Sequence, residues 1–148
     1  MRVALDTNIL AYAEGVNGAA RKKAALEIIE KLSEETTFLP VQVLGELFQV
    51  LVRKAERPPQ KARAAILSWQ DAFPLIETSP AVLLAAVDLA AHHHFGIWDA
   101  VIFSAAAAGG CRLLLSEDLQ DGFTWNGVTV TNPFSKEKHE LLADLLGE

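Results

Sequence analysis

Apolar residues recur along this chain in two rhythms: short unbroken runs, and longer stretches in which they return every three to four positions. These are the signatures of buried strands and amphipathic helices. Arg2 to Leu5 is the first run, and it stops at Asp6-Thr7-Asn8, so it reads as a buried strand delivering a polar turn. Ile9 to Ala13 begins a helix. Gly15 and Gly18 bracket a loop, after which Ala24, Ile28 and Leu32, with Ala25 and Ile29 beside them, carry the spacing of a second helix. Thr36 to Leu39 reads as another strand, closed by Pro40. From Val41 the pattern is helical again, with Val43, Leu44, Leu47, Val50 and Leu51 on the apolar side and Gln42, Glu46, Gln49 and Arg53 along one polar stripe.

Pro58-Pro59 interrupts the chain and opens the next helix, since proline at the first helical position gives up no needed N–H bond. Ala62, Ile66, Trp69 and Phe73 follow at helical spacing and read as core rather than as a stacking platform for bases. Leu75 to Glu77 is short and extended. Thr78-Ser79-Pro80 combines a hydroxyl cap with a proline just inside a helix that runs to about His94, apolar through Leu83, Leu84, Val87 and Ala91. His92, His93 and His94 would point about 100° apart on that helix and cannot share one ion, so they read as a C-terminal run favoured by the helix dipole.

After Gly96 a further helix carries Asp99 at its start and Val101, Ile102, Ala105 and Ala106 within, ending at Gly109-Gly110. Cys111 to Leu115 reads as a central parallel strand, polar on neither side. Ser116 to Gly122 is a polar loop, and Phe123 to Thr131 a final strand region turning at Asn126-Gly127. Leu141, Leu142, Leu145 and Leu146 mark a closing amphipathic helix that offers a face to a partner.

Alternating short strands and helices predict an α/β fold, a doubly wound parallel sheet flanked by helices in one domain spanning residues 1–148. That length buries a core without disulfide or metal staples, and 51% hydrophobic with 22% charged residues excludes a disordered chain. The single cysteine, Cys111, reads as a small buried hydrophobe. No apolar run reaches the roughly 18 to 20 residues that span a bilayer, and no signal pattern opens the chain, so the expectation is a cytoplasmic protein that does not enter a membrane. A net charge of −6 argues against a generic nucleic-acid binder. Two local basic clusters remain, Arg21-Lys22-Lys23 and Arg53, Lys54, Arg57, Lys61 and Arg63, and they read as solvated helix surface unless an acidic metal site lies nearby.

In an open parallel sheet, ligands gather where strands finish and helices begin. Asp6, Glu46, Asp99 and Asp118 come from four separate elements, and three of them directly follow a strand or open a helix. Singly each has a plain explanation: Asp99 caps a helix, and Glu46 is a solvent-exposed helix residue. Converging at one sheet edge they would repel one another unless a cation intervened, and hard oxygen ligands with few or no His or Cys select Mg²⁺ or Mn²⁺.

LDTNIL at the N-terminus, the helical Glu46, IWDAVIFSAA and LLLSEDLQDG, in this order and spacing, resemble the PIN-domain family, particularly the VapC-like ribonuclease toxins of bacterial toxin–antitoxin modules. The likeness covers the chain from Arg2 through the strand after Asn126. It implies a three-layer α/β/α domain and a metal-dependent endoribonuclease using Mg²⁺ or Mn²⁺. The family's acidic quartet falls on Asp6, Glu46, Asp99 and Asp118, of which Asp6, Asp99 and Asp118 would hold metal. Thr7, Asn8 and Ser116 would support them, with Asp121 as an extra ligand or outer-shell group. The implied partners are an RNA substrate, a cognate antitoxin and a second copy of the chain. A haloacid-dehalogenase-like phosphotransferase would want an aspartate where Asn8 stands, and a receiver domain would want a lysine where Ser116-Glu117-Asp118 stand. Two alternatives stay open: a PIN-like nuclease acting on other RNA or DNA outside a toxin system, and a catalytically silent PIN-like module that binds a protein.

Overall fold

The computed structural model describes residues 1–148. Its elements follow in chain order as β1 (Arg2–Leu5), α1 (Thr7–Ala13), α2 (Ala19–Lys31), β2 (Thr37–Pro40), α3 (Val41–Arg53), α4 (Pro59–Ala72), β3 (Leu75–Ile76), α5 (Pro80–His93), α6 (Ile97–Ala108), β4 (Cys111–Leu115), β5 (Thr124–Trp125), β6 (Val128–Thr131) and α7 (Glu140–Leu146). Six strands form one sheet in the order β3-β2-β1-β4-β6-β5. All neighbours are parallel except β5 and β6, which close as a hairpin. The hairpin turn sits at Asn126-Gly127, where both residues take positive φ (48° and 80°) as a tight two-residue turn requires.

The α/β expectation therefore holds, and the order of strands decides where chemistry can sit. From β1 the chain builds outward to β2 and β3, then crosses back to β4 on the other side. The reversal point lies between β1 and β4, and their parallel carboxyl ends open a crevice of the kind that binds ligands. Leu5 pairs with Leu115 in that ladder, so Asp6 and Ser116 leave the sheet side by side. Asp6 N–H bonds Leu115 O at 2.9 Å, and Ser116 N–H bonds Thr131 O at 3.1 Å, which ties both turns to the last rung.

The main core cluster runs through Leu5, Ile9 and Leu10, then Leu47, Ile102 and Phe103, to Leu113 and Leu114, with a small satellite of Tyr12, Ala13 and Ala25. Phe73 is buried and Trp69 packs against this cluster, as core residues rather than base platforms. Ser79 caps α5 through a bond from Val82 N–H at 3.2 Å, with Pro80 in the first turn. His94 ends α5 in the left-handed region, His92 reaches back to Asp88 O, and the His93 ring packs on Phe123, so the His92 and His93 rings are engaged apart from each other.

Several details differ from the pattern. β4 is not apolar throughout: Arg112 is exposed, because the register against β1 advances by two residues, Cys111 to Leu113, while β1 advances by one. Such a bulge leaves its extra residue unpaired. α5 buries Val82, Ala86 and Leu89, whereas Leu83, Leu84 and Val87 are 40%, 67% and 49% exposed. Within α5 only Asp88 and the terminal histidines interrupt the apolar residues, too few for periodicity to choose its inner face. The leucines of α7 serve the chain's own core, with Leu142 and Leu146 buried and Leu141 and Leu145 packed against them, so this helix offers no free apolar face. The first helix begins at Thr7 rather than Ile9, because the Asp6 carboxylate caps it.

Candidate functional site

Asp6 stands at the carboxyl end of β1 and is 4% exposed. Its Oδ1 accepts from Thr7 N–H at 2.7 Å, the capping bond of α1. Its Oδ2 accepts from Ser116 Oγ at 2.7 Å and from Asn8 Nδ2 at 3.3 Å. Asn8 is the brace of the crevice. Its Nδ2 also reaches Asp118 Oδ2 at 3.2 Å, and its Oδ1 accepts from Glu117 N–H at 3.1 Å, so one amide joins the β1 turn to the β4 loop. Ser116 Oγ, fully buried, accepts in turn from the N–H groups of Asp118 and Leu119.

Glu46 comes from α3, one turn in. Its Oε1 accepts from Thr7 Oγ1 at 3.2 Å and its Oε2 from Gln42 Nε2 at 3.1 Å. The polar stripe on α3 is thus a wall of the crevice, and Glu46 is no stray surface residue. Asp99 comes from the first turn of α6, where Gly96 is the N-cap and no side chain caps the helix. The capping explanation for Asp99 fails, and its carboxylate is left without a hydrogen bond to account for it.

Two hollows share this wall. One, of about 270 Å³, is lined by Thr7, Asn8, Tyr12, Glu46, Lys54 and Asp118 among others. The other, of about 420 Å³, is lined by Gln42, Glu46, Gln49, Val50, Trp98 and Asp99. Glu46 and Val50 belong to both.

The electrostatics show how far the carboxylates have been brought together. Burial pushes the Asp6 carboxyl up to about 6, against which the bonds from Ser116 and Thr7 pull down, while Asp99 and Glu46 push up further. Asp99 is also raised, by desolvation first and then by Glu46 and Asp118. The chain's ion pairs are Arg21–Glu117, Lys31–Glu148, Arg57–Glu14 and Lys138–Glu148, so none neutralises Asp6, Glu46, Asp99 or Asp118. Asp6 and Asp99 thus feel the charges of neighbouring carboxylates, none of the four acids has a cation of its own, and oxygen donors of this kind are the chemistry that suits a hard metal ion. No three His, Cys, Asp or Glu groups stand in a ready-made cage, however.

The other candidates separate. Thr7, Asn8 and Ser116 bond directly to the acidic residues. The Asp121 carboxylate accepts from Asn132 N–H at 3.0 Å and fastens the loop to the end of β6. Glu117 turns away from the crevice and takes bonds of 2.6 Å from both Tyr12 Oη and Arg21 Nη1. The basic clusters divide as well: Arg57 is engaged with Glu14 at 2.7 Å, while Lys54 lines the first hollow. Sequence reasoning singled out neither Tyr12, Trp98 nor the particular place of Lys54. The only available signal for Trp98 was its position next to Asp99 on a helix whose other large residues are apolar.

A model of the PIN domain matches residues 3–121. No curated protein sequence matches the chain. Among solved structures it is similar to Mycobacterium tuberculosis VapC20, described as a sarcin–ricin-loop-cleaving toxin, at 17% identity and a TM-score of 0.66, covering 78% of this chain and 89% of that one. A toxin–antitoxin complex from Klebsiella pneumoniae contains a chain 21% identical, with a TM-score of 0.66 and coverage of 89% and 98%. A chain of Rickettsia felis VapBC2, bound to a promoter DNA fragment, is 19% identical, with a TM-score of 0.65 and the same coverage. At these identities the structures speak for the fold. The family model, by contrast, spans the strand that presents Asp6, the helix that presents Asp99 and the loop that presents Asp118, and the chain belongs to the PIN domain family.

Proposed function

We propose that this chain is a metal-dependent endoribonuclease and the toxin of a toxin–antitoxin pair, held in check by a cognate antitoxin. The observation that carries the reading is a set of four unneutralised carboxylates: Asp6 buried at the end of β1, and Glu46, Asp99 and Asp118 lining the two hollows that share Glu46. The neighbours described as a sarcin–ricin-loop-cleaving toxin and as toxin–antitoxin complexes support RNA as substrate and an antitoxin as partner.

Asp6, Asp99 and Asp118 would hold Mg²⁺ or Mn²⁺, with Glu46 completing the acidic wall. When bound, such an ion activates water and stabilises charge on a phosphodiester. The chain's own residues do the placing. Ser116 and Thr7 hold Asp6 in one rotamer, Asn8 spaces Asp118 from Asp6, and Gln42 and Thr7 orient Glu46. Lys54, beside the carboxylates, is placed to meet a backbone phosphate. A second copy of the chain is the partner that the exposed Leu83, Leu84 and Val87 face of α5 suits. No helix is long and apolar enough to cross a membrane, and the cytoplasm, where RNA and antitoxin meet, is the proposed place of action.

Calorimetric titration with Mn²⁺, alongside cleavage of a broad RNA pool, tests the reading. Binding heat together with internal cleavage that chelation abolishes is the expected result. Metal binding with cleavage of DNA alone would move the substrate. Absence of Mn²⁺ heat and of cleavage would leave a silent protein-binding module and end the nuclease reading.

A further inference from the structure

The nuclease reading accounts for the carboxylates but not for what lies beside them. The larger hollow is lined by the acids Glu46 and Asp99 together with Gln42, Gln49, Val50 and Trp98. Trp98 is 56% exposed, although its neighbour Ile97 and the nearby Phe95 both pack on the core. An indole kept in solvent forgoes the burial that large aromatics usually supply, so the fold itself gives no reason for it. Gln42 is committed to Glu46. Gln49, one helical turn after Glu46, is exposed on the same stripe and lines the hollow.

Resting on that reading, we infer that this hollow is a nucleobase subsite: a base of single-stranded RNA next to the scissile phosphate stacks on Trp98 and presents its edge to the Gln49 amide. The lining chooses this occupant. Every base has a π-face that stacks on an aromatic ring without regard to sequence, and an amide offers a donor and an acceptor side by side, the pairing that base edges complement. An arginine from a bound protein would suit Trp98 and the carboxylates, but it carries only donors and would leave the amide's NH₂ unmatched. Position agrees as well. Trp98 precedes Asp99 in α6 and Gln49 follows Glu46 in α3, so a nucleotide seated here has its phosphate at the acidic wall, with Lys54 in the adjoining hollow for the next one.

The test uses fluorescently labelled, cleavage-resistant phosphorothioate octaribonucleotides, one set carrying bases and one abasic, with binding read by anisotropy for the parent, Trp98→Phe, Trp98→Ala and Gln49→Ala. Trp98 lies outside the core, and circular dichroism checks that each variant folds. The expected result is that Trp98→Ala weakens binding of base-bearing octamers by roughly 5- to 150-fold, Trp98→Phe retains most of it, and neither change alters abasic binding. Gln49→Ala should shift the ranking of adenylate, uridylate, cytidylate and guanylate octamers. If Trp98→Ala binds base-bearing RNA within twofold of the parent, or loses abasic RNA equally, the subsite is overturned. A parent that cleaves RNA while Trp98→Ala binds as well as the parent sinks this inference alone, whereas a parent that neither binds nor cleaves RNA sinks the nuclease reading with it.

Discussion

The two sides of the crevice are built on opposite principles. On the sheet side, Asp6 is buried, caps α1, and is held by Thr7, Ser116 and Asn8, with Asn8 reaching across to Asp118. On the α6 side, Asp99 is exposed, caps nothing and answers only to desolvation and to the charges of Glu46 and Asp118. The first carboxylate is held in place by the protein alone, at a cost in folding free energy from desolvation. The second has no hydrogen bond of its own to fix its side chain, and the acidic set does not close into a cage by itself.

That contrast can be broken most severely at Asp99. Asp99→Asn removes a charge from the α6 side without removing any internal bond, so cleavage should fall by more than about a hundredfold, the upper range for disturbing the outer shell of a metal site. Folding should be kept, and metal-free thermal stability should rise slightly as repulsion from Glu46 and Asp118 is relieved. A variant that cleaves like the parent would remove Asp99 from the site.

The sheet side should declare itself through pH. Folding raises the Asp6 carboxyl from 3.8 to about 6, so the folded state binds its proton more tightly than the unfolded chain. The associated stabilisation is complete below pH 3.8 and is lost as pH rises through about 6, at most about 3 kcal/mol for a shift of this size. Urea unfolding in chelator should therefore show the parent losing stability relative to Asp6→Asn between pH 4 and 7. The asparagine NH₂ would face Asn8 Nδ2, which trims the variant's advantage. A parent-to-variant difference that does not change with pH would contradict the assignment of Asp6 as a strained, buried acid.

Ser116→Ala probes the same side from the loop. It deletes the 2.7 Å bond to Asp6 and the acceptor for Asp118 and Leu119 N–H, and should cost about 2 kcal/mol at neutral pH. It should also raise the Asp6 carboxyl further, measurable by NMR titration. The smallest effect belongs outside the crevice. Glu14 receives Arg57 at 2.7 Å and Trp69 Nε1 at 3.0 Å, knitting α1 to the α3–α4 connection. Glu14→Ala should lower stability by about 1 kcal/mol and leave RNA cleavage at the parental rate. A large loss of cleavage there would mean that the crevice depends on this distant knot.

Much of the architecture was legible because two periodicities and a few caps are local. Alternating short apolar runs and helical spacing placed every strand to within a residue or two, and Ser79-Pro80, Pro58-Pro59 and Asn126-Gly127 marked helix starts and a hairpin by the chemistry of single residues. Where a helix is mostly apolar, as α5 is apart from Asp88 and its terminal histidines, periodicity carries little direction, and the exposed Leu83, Leu84 and Val87 could not be told from Val82, Ala86 and Leu89. The bulge at Arg112 and the inward commitment of α7 were hidden for a related reason, since both depend on what a neighbouring element does.

Acidic residues at the ends of parallel strands and the start of a helix were written into local sequence, because strand length, turn chemistry and capping are settled within a few residues. Which of them meet was settled by packing between distant elements. The β1/β4 pairing sets Asp6 beside Ser116 across 110 positions of chain, and the packing of α3 against α6 brings Glu46 toward Asp99. It also separated Asp121 and Glu117 from Asp118, although all three lie in one short loop, because hydrogen bonds to Asn132, Tyr12 and Arg21 turn each side chain toward a different partner. Long-range pairing has no local signature: its free energy comes from surfaces that meet only when the whole chain has folded.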